Sequence, residues 1–324
     1  MKTYFVLAFL CLSVLLISCQ KNDPFTPQIW QSVVEFDRNP AWTPDGSQIL
    51  FEYRREVTEL YGGSYISTLD PLSGVWRVST EGDSLIQLVQ NDDIYIDNIK
   101  FDMNSDGIRL VFTFNKYILS ASVIGDTIDG SNITTVALLS NSFNISYPKW
   151  NPVSEWILFE NVPTSSSMPE IWMIKEDGTE LQYLFEGLTP SWHPDGQSLI
   201  AANFISDSGN ETSFIKYFPF TDAPPETLDV DFGSINIFPV YKYDGLEIAY
   251  QTSDQDSTYI NIMNTDGTGI HYLTLGGQPS WSPDGSAIAF TLFDIETSNI
   301  WLIDSDGGNL RQLFTDVYTL SKIK

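Results

Sequence analysis

The stretch that decides the fold lies near the C-terminus, from Gly277 to Phe314: GQPSWSPDGSAIAFTLFDIETSNIWLIDSDGGNLRQLF. It contains four short apolar runs, at 279–282, 287–292, 299–304 and 310–314, separated by turn-forming residues. Short runs rich in Ile, Phe, Trp and Leu between Pro, Asp and Gly clusters are typical of strands. In the segment SPDG at 282–285, Pro presets φ, Asp can bond its own backbone and Gly accepts a positive φ. The stretch therefore predicts one four-stranded antiparallel meander.

Related stretches recur along the chain. The pattern of the first two strands begins near residues 40, 99, 148, 190, 238 and 279. We predict that an aromatic residue marks the first strand of each copy: Trp42, Phe101, Trp150, Trp192, Tyr241 and Trp281. A repeat of about 40–45 residues with four strands per unit is typical of β-propellers, whose units bury their faces against each other around an axis. The sequence thus predicts an all-β fold, a six-bladed β-propeller with four antiparallel strands per blade, as a single domain over residues 29–324.

The repeat also carries a family resemblance. The pattern P-x-W-S-P-D-G-x-x-I-A-F, followed by I-W-x-[IV]-x-x-D-G, resembles the repeat of TolB-type, WD-repeat-like bacterial propellers from about Pro40 to Phe314. The resemblance implies an envelope protein that binds a protein or peptide, as TolB-type propellers bind peptidoglycan-associated lipoprotein. In that family an α/β domain precedes the propeller, whereas here only the stretch from Cys19 to residue 39 does so. The family's translocation role is therefore not implied, and propellers in general host several unrelated functions.

Residues 1–18 have the features of a lipoprotein signal peptide. Lys2 supplies a positive start, and the apolar stretch at 4–17 is short for a membrane span. The segment LISC at 16–19 resembles the lipobox of bacterial lipoproteins, which implies a lipidated Cys19 followed by a tether at 19–28. The alternative is an ordinary secretory signal in which Cys19 is incidental. Because Gln20 after the lipidated Cys resembles outer-membrane sorting, we expect an outer-membrane lipoprotein on the periplasmic side or the surface, held to the membrane by its lipid anchor only.

The composition restricts the possible partners. The chain has 42 acidic residues against 16 Lys and Arg, a formal net charge of −26. Such a charge argues against nucleic acid and against passive adhesion to anionic lipid. It also serves solubility and discourages edge-to-edge strand pairing. We expect a monomer whose partners, if charge selects them, are cationic. The two cysteines lie at positions 11 and 19, which leaves no other thiol and suits an oxidising compartment.

The variable loops are the predicted binding surface. In a meander, the loops between second and third strands lie on the face opposite the short stereotyped turns, and variable loops on a rigid frame are where binding usually resides. The long loop at 54–73 combines Arg and Tyr residues, which are favoured interface anchors, with Gly62 and Gly63. The predicted partner site comprises Arg54, Arg55, Tyr61, Tyr65, Asp207, Glu211, Asp254, Asp256, Asp294 and Glu296. The alternative is a hairpin extension whose charges are simply solvated.

The sequence contains no recognisable catalytic constellation. We predict that His193 lies in a turn and that His271 is an exposed strand residue. Neither histidine has a second His or Cys at the spacing that metal ligands require. No G-x-S-x-G nucleophile motif occurs. The segment DSDG at 304–307 resembles the start of a calcium loop, but the twelfth position is Thr315 rather than Glu, so we interpret it as a hairpin turn. We therefore predict no catalytic residue, no metal site and no cofactor.

Three functions remain open. The preferred one is a lipid-anchored, non-enzymatic propeller that acts as a protein- or peptide-binding scaffold through its variable-loop face. A carbohydrate-binding surface lipoprotein would need exposed aromatic residues on that face, for which Tyr61, Tyr65 and Phe293 are candidates. A polysaccharide-degrading enzyme of the lyase or glycosidase kind would need a base beside a carboxylate or metal at the channel mouth. The resemblance to oligogalacturonate lyases fails at the His-rich metal site of those enzymes.

Overall fold

The computed structural model describes residues 31–61, 64–90, 99–125, 127–128, 133–166, 168–207, 210–220, 225–229, 234–294, 297–314 and 317. The predicted signal peptide, Cys19 and the tether lie outside the described residues. The strands of the first two repeats are β1 (Gln31–Trp42), β2 (Gln48–Tyr61), β3 (Ser64–Leu69), β4 (Gly74–Ser79), β5 (Ile86–Gln90), β6 (Phe101–Met103), β7 (Arg109–Phe114), β8 (Tyr117–Ile124), β9 (Thr127–Ile128) and β10 (Thr134–Leu138).

The later repeats follow the four-strand pattern closely. The third and fourth contain β11 (Ser142–Trp150), β12 (Trp156–Pro163), β13 (Glu170–Lys175), β14 (Gln182–Glu186), β15 (Leu188–Trp192), β16 (Ser198–Asp207), β17 (Asn210–Pro219) and β18 (Glu226–Asp229). The fifth and sixth contain β19 (Ile235–Tyr241), β20 (Glu247–Ser253), β21 (Thr258–Asn264), β22 (His271–Leu275), β23 (Gly277–Trp281), β24 (Ala287–Phe293), β25 (Thr297–Asp304) and β26 (Arg311–Gln312).

Over the described ranges these strands form five sheets. Three are four-stranded meanders, β11 to β14, β15 to β18 and β19 to β22, and a fourth sheet is built from β6 to β10. The fifth has nine strands and contains both the first and the last repeat. The two repeats are joined by β1, which pairs antiparallel with β2 and, at Glu35 and Phe36, parallel with β25. The all-β fold of antiparallel four-stranded units is confirmed, whereas the sheets number five because β1 pairs with a strand of the first repeat and with a strand of the last repeat.

The turns form as their residues predict. Between β23 and β24, Asp284 Oδ1 accepts bonds from Ser282 Oγ at 2.7 Å and from the Ser286 amide at 3.0 Å. Gly285 has a φ of 70°, in the left-handed region. The hydrogen bonds from Ser282 and Ser286 lower the pKa of Asp284 to about 2. Asp304 likewise begins the turn between β25 and β26, where Asn309 Nδ2 donates to its carboxylate at 2.5 Å.

The core consists of apolar clusters between successive repeats. The described residues form six such clusters, and each combines side chains from two repeats that are consecutive in the chain or, in one case, the first and the last. In that last case Phe51 and Phe314 meet with ring centroids 4.8 Å apart. Trp150, Trp192, Tyr241 and Trp281 are buried in these clusters, as expected. Each repeat therefore gains its stability from its neighbours, through burial of apolar surface.

One predicted repeat position is wrong. The turn of the second repeat begins at Asn104, whose amide donates to Arg109 O as the Thr43 amide donates to Gln48 O in the first repeat. Met103 therefore occupies the position of Trp42, and Phe101 lies two residues earlier. Two-residue periodicity keeps Phe101 on the same face of the strand, where it is 5% exposed. The aromatic pattern alone could not distinguish these two positions.

Candidate functional site

The first strands of all six repeats line a central cavity of about 360 Å³. In each repeat, the residue three positions before the end of the first strand lines this cavity; in the second repeat this residue, Lys100, directly precedes β6. We call these six residues the bulge ring: Asn39, Lys100, Tyr147, Thr189, Phe238 and Gln278. Five of them, all but Lys100, have a positive φ between 48° and 55°, and the strand register shifts beside each of these five. A positive φ is costly for side chains such as Thr and Phe, so the surrounding structure must impose it.

Hydrogen bonds between repeats hold the bulge ring in place. The Asn39 amide donates to Gln278 Oε1 at 3.1 Å, and the Phe238 amide donates to Thr189 Oγ1 at 3.0 Å. The Thr189 amide donates to Glu160 Oε2 at 3.0 Å, and the Gln278 amide donates to Gln251 Oε1 at 3.1 Å. In each case the acceptor comes from the repeat that precedes the donor around the cavity. The bulges thereby expose backbone donors that the neighbouring repeat satisfies, as buried amides require.

A buried ion pair lies beside the ring. Lys100 Nζ is 2.9 Å from Glu52 Oε2, and the two side chains are 4% and 7% exposed. Asn39 Nδ2 donates to the same Glu52 oxygen at 2.6 Å, and the Lys100 ammonium lies 5.5 Å from the centroid of the Tyr147 ring. Burial lowers the pKa of Lys100, and the charge of Glu52 opposes that shift. Burying such a pair removes both charged groups from water, and their mutual attraction offsets this cost only with good geometry. Removal of one partner is therefore strongly destabilising, because it leaves the other charge buried without compensation.

A second buried carboxylate, Glu160, contacts the bulge ring at the Thr189 amide. It accepts from the Thr189 amide and from Ser146 Oγ, the latter at 3.2 Å, and is 7% exposed. Burial raises the pKa of Glu160 to about 6, against these two hydrogen bonds and the charge of Lys100. Burial, followed by the charges of Glu160 and Glu52, raises the pKa of Tyr147. The carboxyl of Glu160 therefore ionises at a higher pH than an exposed glutamate does.

Another charged pair lies nearer the short turns. Lys149 Nζ is 3.4 Å from Asp102 Oδ1, and the Trp150 amide donates to Asp102 Oδ2 at 2.9 Å. Burial raises the pKa of Asp102, while Lys149 opposes the shift. Burial and the charge of Asp102 raise the pKa of Tyr243, which also lines the cavity. The lining of the cavity thus combines charged side chains with aromatic ones.

The long loop predicted at 54–73 is largely regular structure. β2 continues to Tyr61, and β3 pairs with its outer half from Glu56↔Leu69 to Tyr61↔Ser64. Arg55 bonds Glu35 at 2.6 Å and Asp70 at 2.5 Å, and Arg54 bonds Glu56 at 2.9 Å. Arg55 therefore joins β2 to β1 and to the residue that follows β3, whereas the pair of Arg54 lies within β2. Tyr65 is 76% exposed and available for contact.

The acidic positions are only partly described. Asp254 and Asp294 are exposed, and each closes a tight turn by donating its amide to the residue three positions later, Ser257 and Thr297 respectively. Asp256 is also exposed. Asp207 and Glu211 belong to β16 and β17, but their side chains lie outside the described residues, as does that of Tyr61. Glu296 lies wholly outside them.

The histidines lie in structural positions. His193 opens the turn between β15 and β16, where its ring is 4.8 Å from Tyr241 and its Nδ1 is 2.8 Å from Asp195 Oδ1. His271 is exposed at the start of β22. Within the described ranges no three His, Cys, Asp or Glu side chains form a group that could hold a metal ion. The described part of the chain also has no helix of the length and hydrophobicity that a membrane crossing requires.

Solved structures share this architecture. A TolB structure from Agrobacterium tumefaciens matches with a TM-score of 0.60 at 18% identity, covering 71% of this chain and 84% of that chain. TolB from Acinetobacter baumannii matches with a TM-score of 0.59 at 14% identity, covering 88% and 83% respectively. The fold is a TolB-like β-propeller. An oligogalacturonate lyase in complex with manganese matches the propeller with a TM-score of 0.55 at 16% identity, covering 83% of this chain and 90% of that chain. No family model and no curated protein matches the chain.

The buried polar residues of the propeller were not predicted from the sequence. Glu52 and Glu160 end the apolar runs ILFE in the first and third repeats, where the fifth and sixth repeats have Gln251 and Thr291. A carboxylate at an inward position of a buried strand could therefore have indicated a buried polar site. Lys100 carried no such signal, because its place in the bulge ring depends on the corrected register of the second repeat.

Proposed function

We propose that the chain is a lipid-anchored, non-enzymatic propeller of the cell envelope that binds a protein or peptide through its variable-loop face. The TolB-like fold supports this proposal, because the TolB structures share the propeller over most of its length. The observation that carries it is the hairpin of β2 and β3. This hairpin extends beyond the four-stranded frame and is fixed by the ion pairs of Arg55, and it presents Tyr65 to solvent. Exposed aromatic residues on a rigid support are favourable anchors for a partner.

The propeller in this proposal has six blades. The nine-stranded sheet would count as two blades, one of β1 to β5 and one of β23 to β26, joined by the short parallel pairing of β1 with β25. The six apolar clusters of the described core support this count, because each would then be one interface between adjacent blades. Closure would depend on β1, together with the bond of 3.0 Å from Trp42 Nε1 to Ser280 O.

The anchoring part of the proposal concerns residues 1–28. A signal peptide at 1–18, lipid on Cys19 and a tether at 19–28 would place a monomeric propeller at the outer membrane. Mass spectrometry of the mature N-terminus tests this part, and the expected result is an acylated Cys19. An unmodified thiol at that position would exclude the anchor.

Crosslinking in intact envelopes tests the binding function. The lipidated protein and a soluble form that begins after Cys19 are compared, and the captured proteins are identified. We expect the lipidated protein to enrich a protein that the soluble form captures less efficiently, because anchoring raises the effective concentration. Absence of any specific partner with the wild-type protein would contradict the scaffold function.

A second function is favoured by one specific observation. An enzyme of the polysaccharide-lyase kind would need a base beside a carboxylate at the channel, and Lys100 and Tyr147 lie beside Glu52 and Glu160 at the central cavity. The propeller also resembles an oligogalacturonate lyase in fold. Release of unsaturated products from oligogalacturonate, followed by ultraviolet absorbance, tests this alternative. Activity that the Lys100→Met variant loses would replace the scaffold proposal by the enzymatic one.

A further inference from the structure

The central cavity opens on the face that carries the short turns between first and second strands. Ser105 and Tyr243 lie in two of these turns, belong to the lining of the cavity and are exposed. At the bulge ring, Tyr147 and Phe238 come from non-adjacent repeats, yet their ring centroids are 5.3 Å apart. The two rings thus form a floor beneath the opening. The volume of about 360 Å³ lies near the lower end of the range for small-molecule pockets, about 300–1,000 Å³, so the cavity fits a small ligand.

The walls of this cavity are mainly aromatic. Five of the six first strands end in an aromatic residue that belongs to the lining: Trp42, Trp150, Trp192, Tyr241 and Trp281. The face of an aromatic ring is electron-rich, so it attracts the weakly positive hydrogens of C–H groups. A ligand with C–H faces therefore packs well between these walls.

Two of the wall tryptophans are hydrogen-bonded to the neighbouring repeat. Trp42 Nε1 donates to Ser280 O at 3.0 Å, and Trp192 Nε1 donates to Lys149 O at 3.0 Å. In both cases the acceptor is the residue that precedes the tryptophan of the preceding repeat. These two indole groups therefore need no ligand.

The other two wall tryptophans lack such a partner. The repeats that precede those of Trp150 and Trp281 have Met103 and Tyr241 at the corresponding position. Trp150 and Trp281 are 7% and 2% exposed, and among the described residues neither Nε1 has a hydrogen-bond acceptor. An indole N–H only donates, and a buried donor without an acceptor is costly. A ligand that brings acceptors into the cavity is therefore favoured.

The charges of the lining are already paired. Its charged members among the described residues are Lys100, Lys149 and Asp102. Lys100 Nζ is 2.9 Å from Glu52 Oε2, and Lys149 Nζ is 3.4 Å from Asp102 Oδ1. An anionic ligand would have to compete with these carboxylates, and a cationic ligand would have to compete with the lysines. The cavity therefore fits a neutral ligand that forms hydrogen bonds.

The hydroxyl of Tyr147 adds a neutral group at the floor. Burial, followed by the charges of Glu160 and Glu52, raises the pKa of Tyr147, so the hydroxyl keeps its proton. Within the part of the chain that the structure describes, this hydroxyl forms no hydrogen bond. A phenolic hydroxyl can both donate and accept. It therefore suits a ligand hydroxyl, which can do the same.

We propose that the central cavity binds a neutral saccharide of one or two sugar units. The sugar ring places its C–H faces against the aromatic walls, its oxygens accept from the indoles of Trp150 and Trp281, and a hydroxyl pairs with Tyr147. This site lies on the face opposite the variable loops, so it goes beyond the proposed scaffold function and does not depend on it. Tyr65 and Phe293, the exposed aromatic residues of the loop face, take no part in it.

Sugars that differ in charge test the ligand class. The neutral probes are glucose, galactose, N-acetylglucosamine and cellobiose, and glucosamine and glucuronate are the cationic and anionic comparisons. Each is titrated against the full chain up to high millimolar concentrations and followed by tryptophan fluorescence, because four of the wall residues are tryptophans. We expect at least one neutral sugar to bind at least about tenfold more tightly than both charged sugars. Absence of binding by every neutral sugar would overturn the proposal. Equal or tighter binding of glucosamine or glucuronate would also overturn it.

Tyr147→Phe is the decisive variant, with Tyr183→Phe as its matched control. Each removes one hydroxyl and keeps the ring, and Tyr183 lies on the outer strand β14 of the same repeat, where it is 50% exposed. We expect Tyr147→Phe to bind the neutral sugar about two- to tenfold more weakly, as the loss of one hydrogen bond predicts. Tyr183→Phe should bind like wild type, and both variants should keep the wild-type Tm. Equal affinity of the two variants would show that the sugar does not reach the floor of the cavity and would refute the site.

The indole N–H resonances of the wall tryptophans locate the bound sugar. We expect the neutral sugar to shift the resonances of Trp150 and Trp281 more than those of Trp42 and Trp192, whose N–H groups are already bonded within the protein. Shifts of equal size in all four, or no shift in any of them, would contradict the proposed binding mode.

Discussion

The buried carboxyl of Glu160 should make the stability of the propeller depend on pH in a predictable direction. The side chain is 7% exposed and has no Lys or Arg within salt-bridge distance in the described structure, so it is costly to ionise. Replacing Glu160 with Gln keeps an oxygen that can accept from the Thr189 amide and removes the ionisation. The variant therefore separates the charge of this group from its hydrogen bonds.

The magnitude follows from the shift in pKa. The pKa of Glu160 is raised from 4.5 to about 6, so the folded state holds the proton more tightly than the unfolded state. Its favourable contribution is complete below about pH 4.5 and is lost as the pH rises through about 6. At about 1.4 kcal/mol per pKa unit, the loss amounts to about 2 kcal/mol. The group is almost fully buried, so solvent screening reduces this value little.

Urea unfolding between pH 4.5 and 8 measures the effect. The quantity to compare is the free energy of unfolding of Glu160→Gln minus that of wild type, because the other acidic groups cancel in this difference. We expect the difference to rise by about 2 kcal/mol from pH 4.5 to pH 7.5. The control is Glu155→Gln, at an exposed position of the same repeat, for which the difference should stay flat. A flat or falling difference for Glu160→Gln would refute the assigned burial of its charge.

Three other predictions concern stability and use thermal or urea unfolding. Gly82→Ala would place Cβ 1.9 Å from a backbone carbonyl oxygen of the last repeat, so we expect the free energy of unfolding to fall by more than about 2 kcal/mol. In the control Gly125→Ala, the new Cβ meets open space, and the free energy of unfolding should fall by about 1 kcal/mol. Similar losses in the two variants would contradict the tight contact between the first and last repeats. Lys100→Met leaves Glu52 buried without its ion-pair partner and should lower the free energy of unfolding by about 3–5 kcal/mol. Most of this loss should be recovered in the double variant that also carries Glu52→Gln. An additive double variant would argue against the ion pair. Phe51→Ala should cost about 3–5 kcal/mol, since this fully buried ring joins the first and last repeats, and a loss below about 1 kcal/mol would contradict that packing.

Local signals in the sequence determined the repeat, the strands and the turns. Runs of apolar residues between Asp-Gly turns specify strands wherever they occur, because turn geometry and side-chain alternation act over only a few residues. The four runs between Gly277 and Phe314 accordingly correspond to β23 to β26. The burial of Trp150, Trp192 and Trp281 also followed, since a four-stranded unit can bury such residues only against another unit.

Only the tertiary structure decided what lies around the central cavity and how the first repeat contacts the last one. Lys100 and Glu52 are separated by 48 residues, and the bond from the Asn39 amide to Gln278 Oε1 spans 239. Such partners are selected by the register of the bulges and by which repeats become neighbours, and no local pattern contains that information. For the same reason Arg55, which the sequence offered as a partner-binding residue, lies between Glu35 and Asp70 in the folded chain. Ion pairs between distant segments form only once the strands that carry them are aligned.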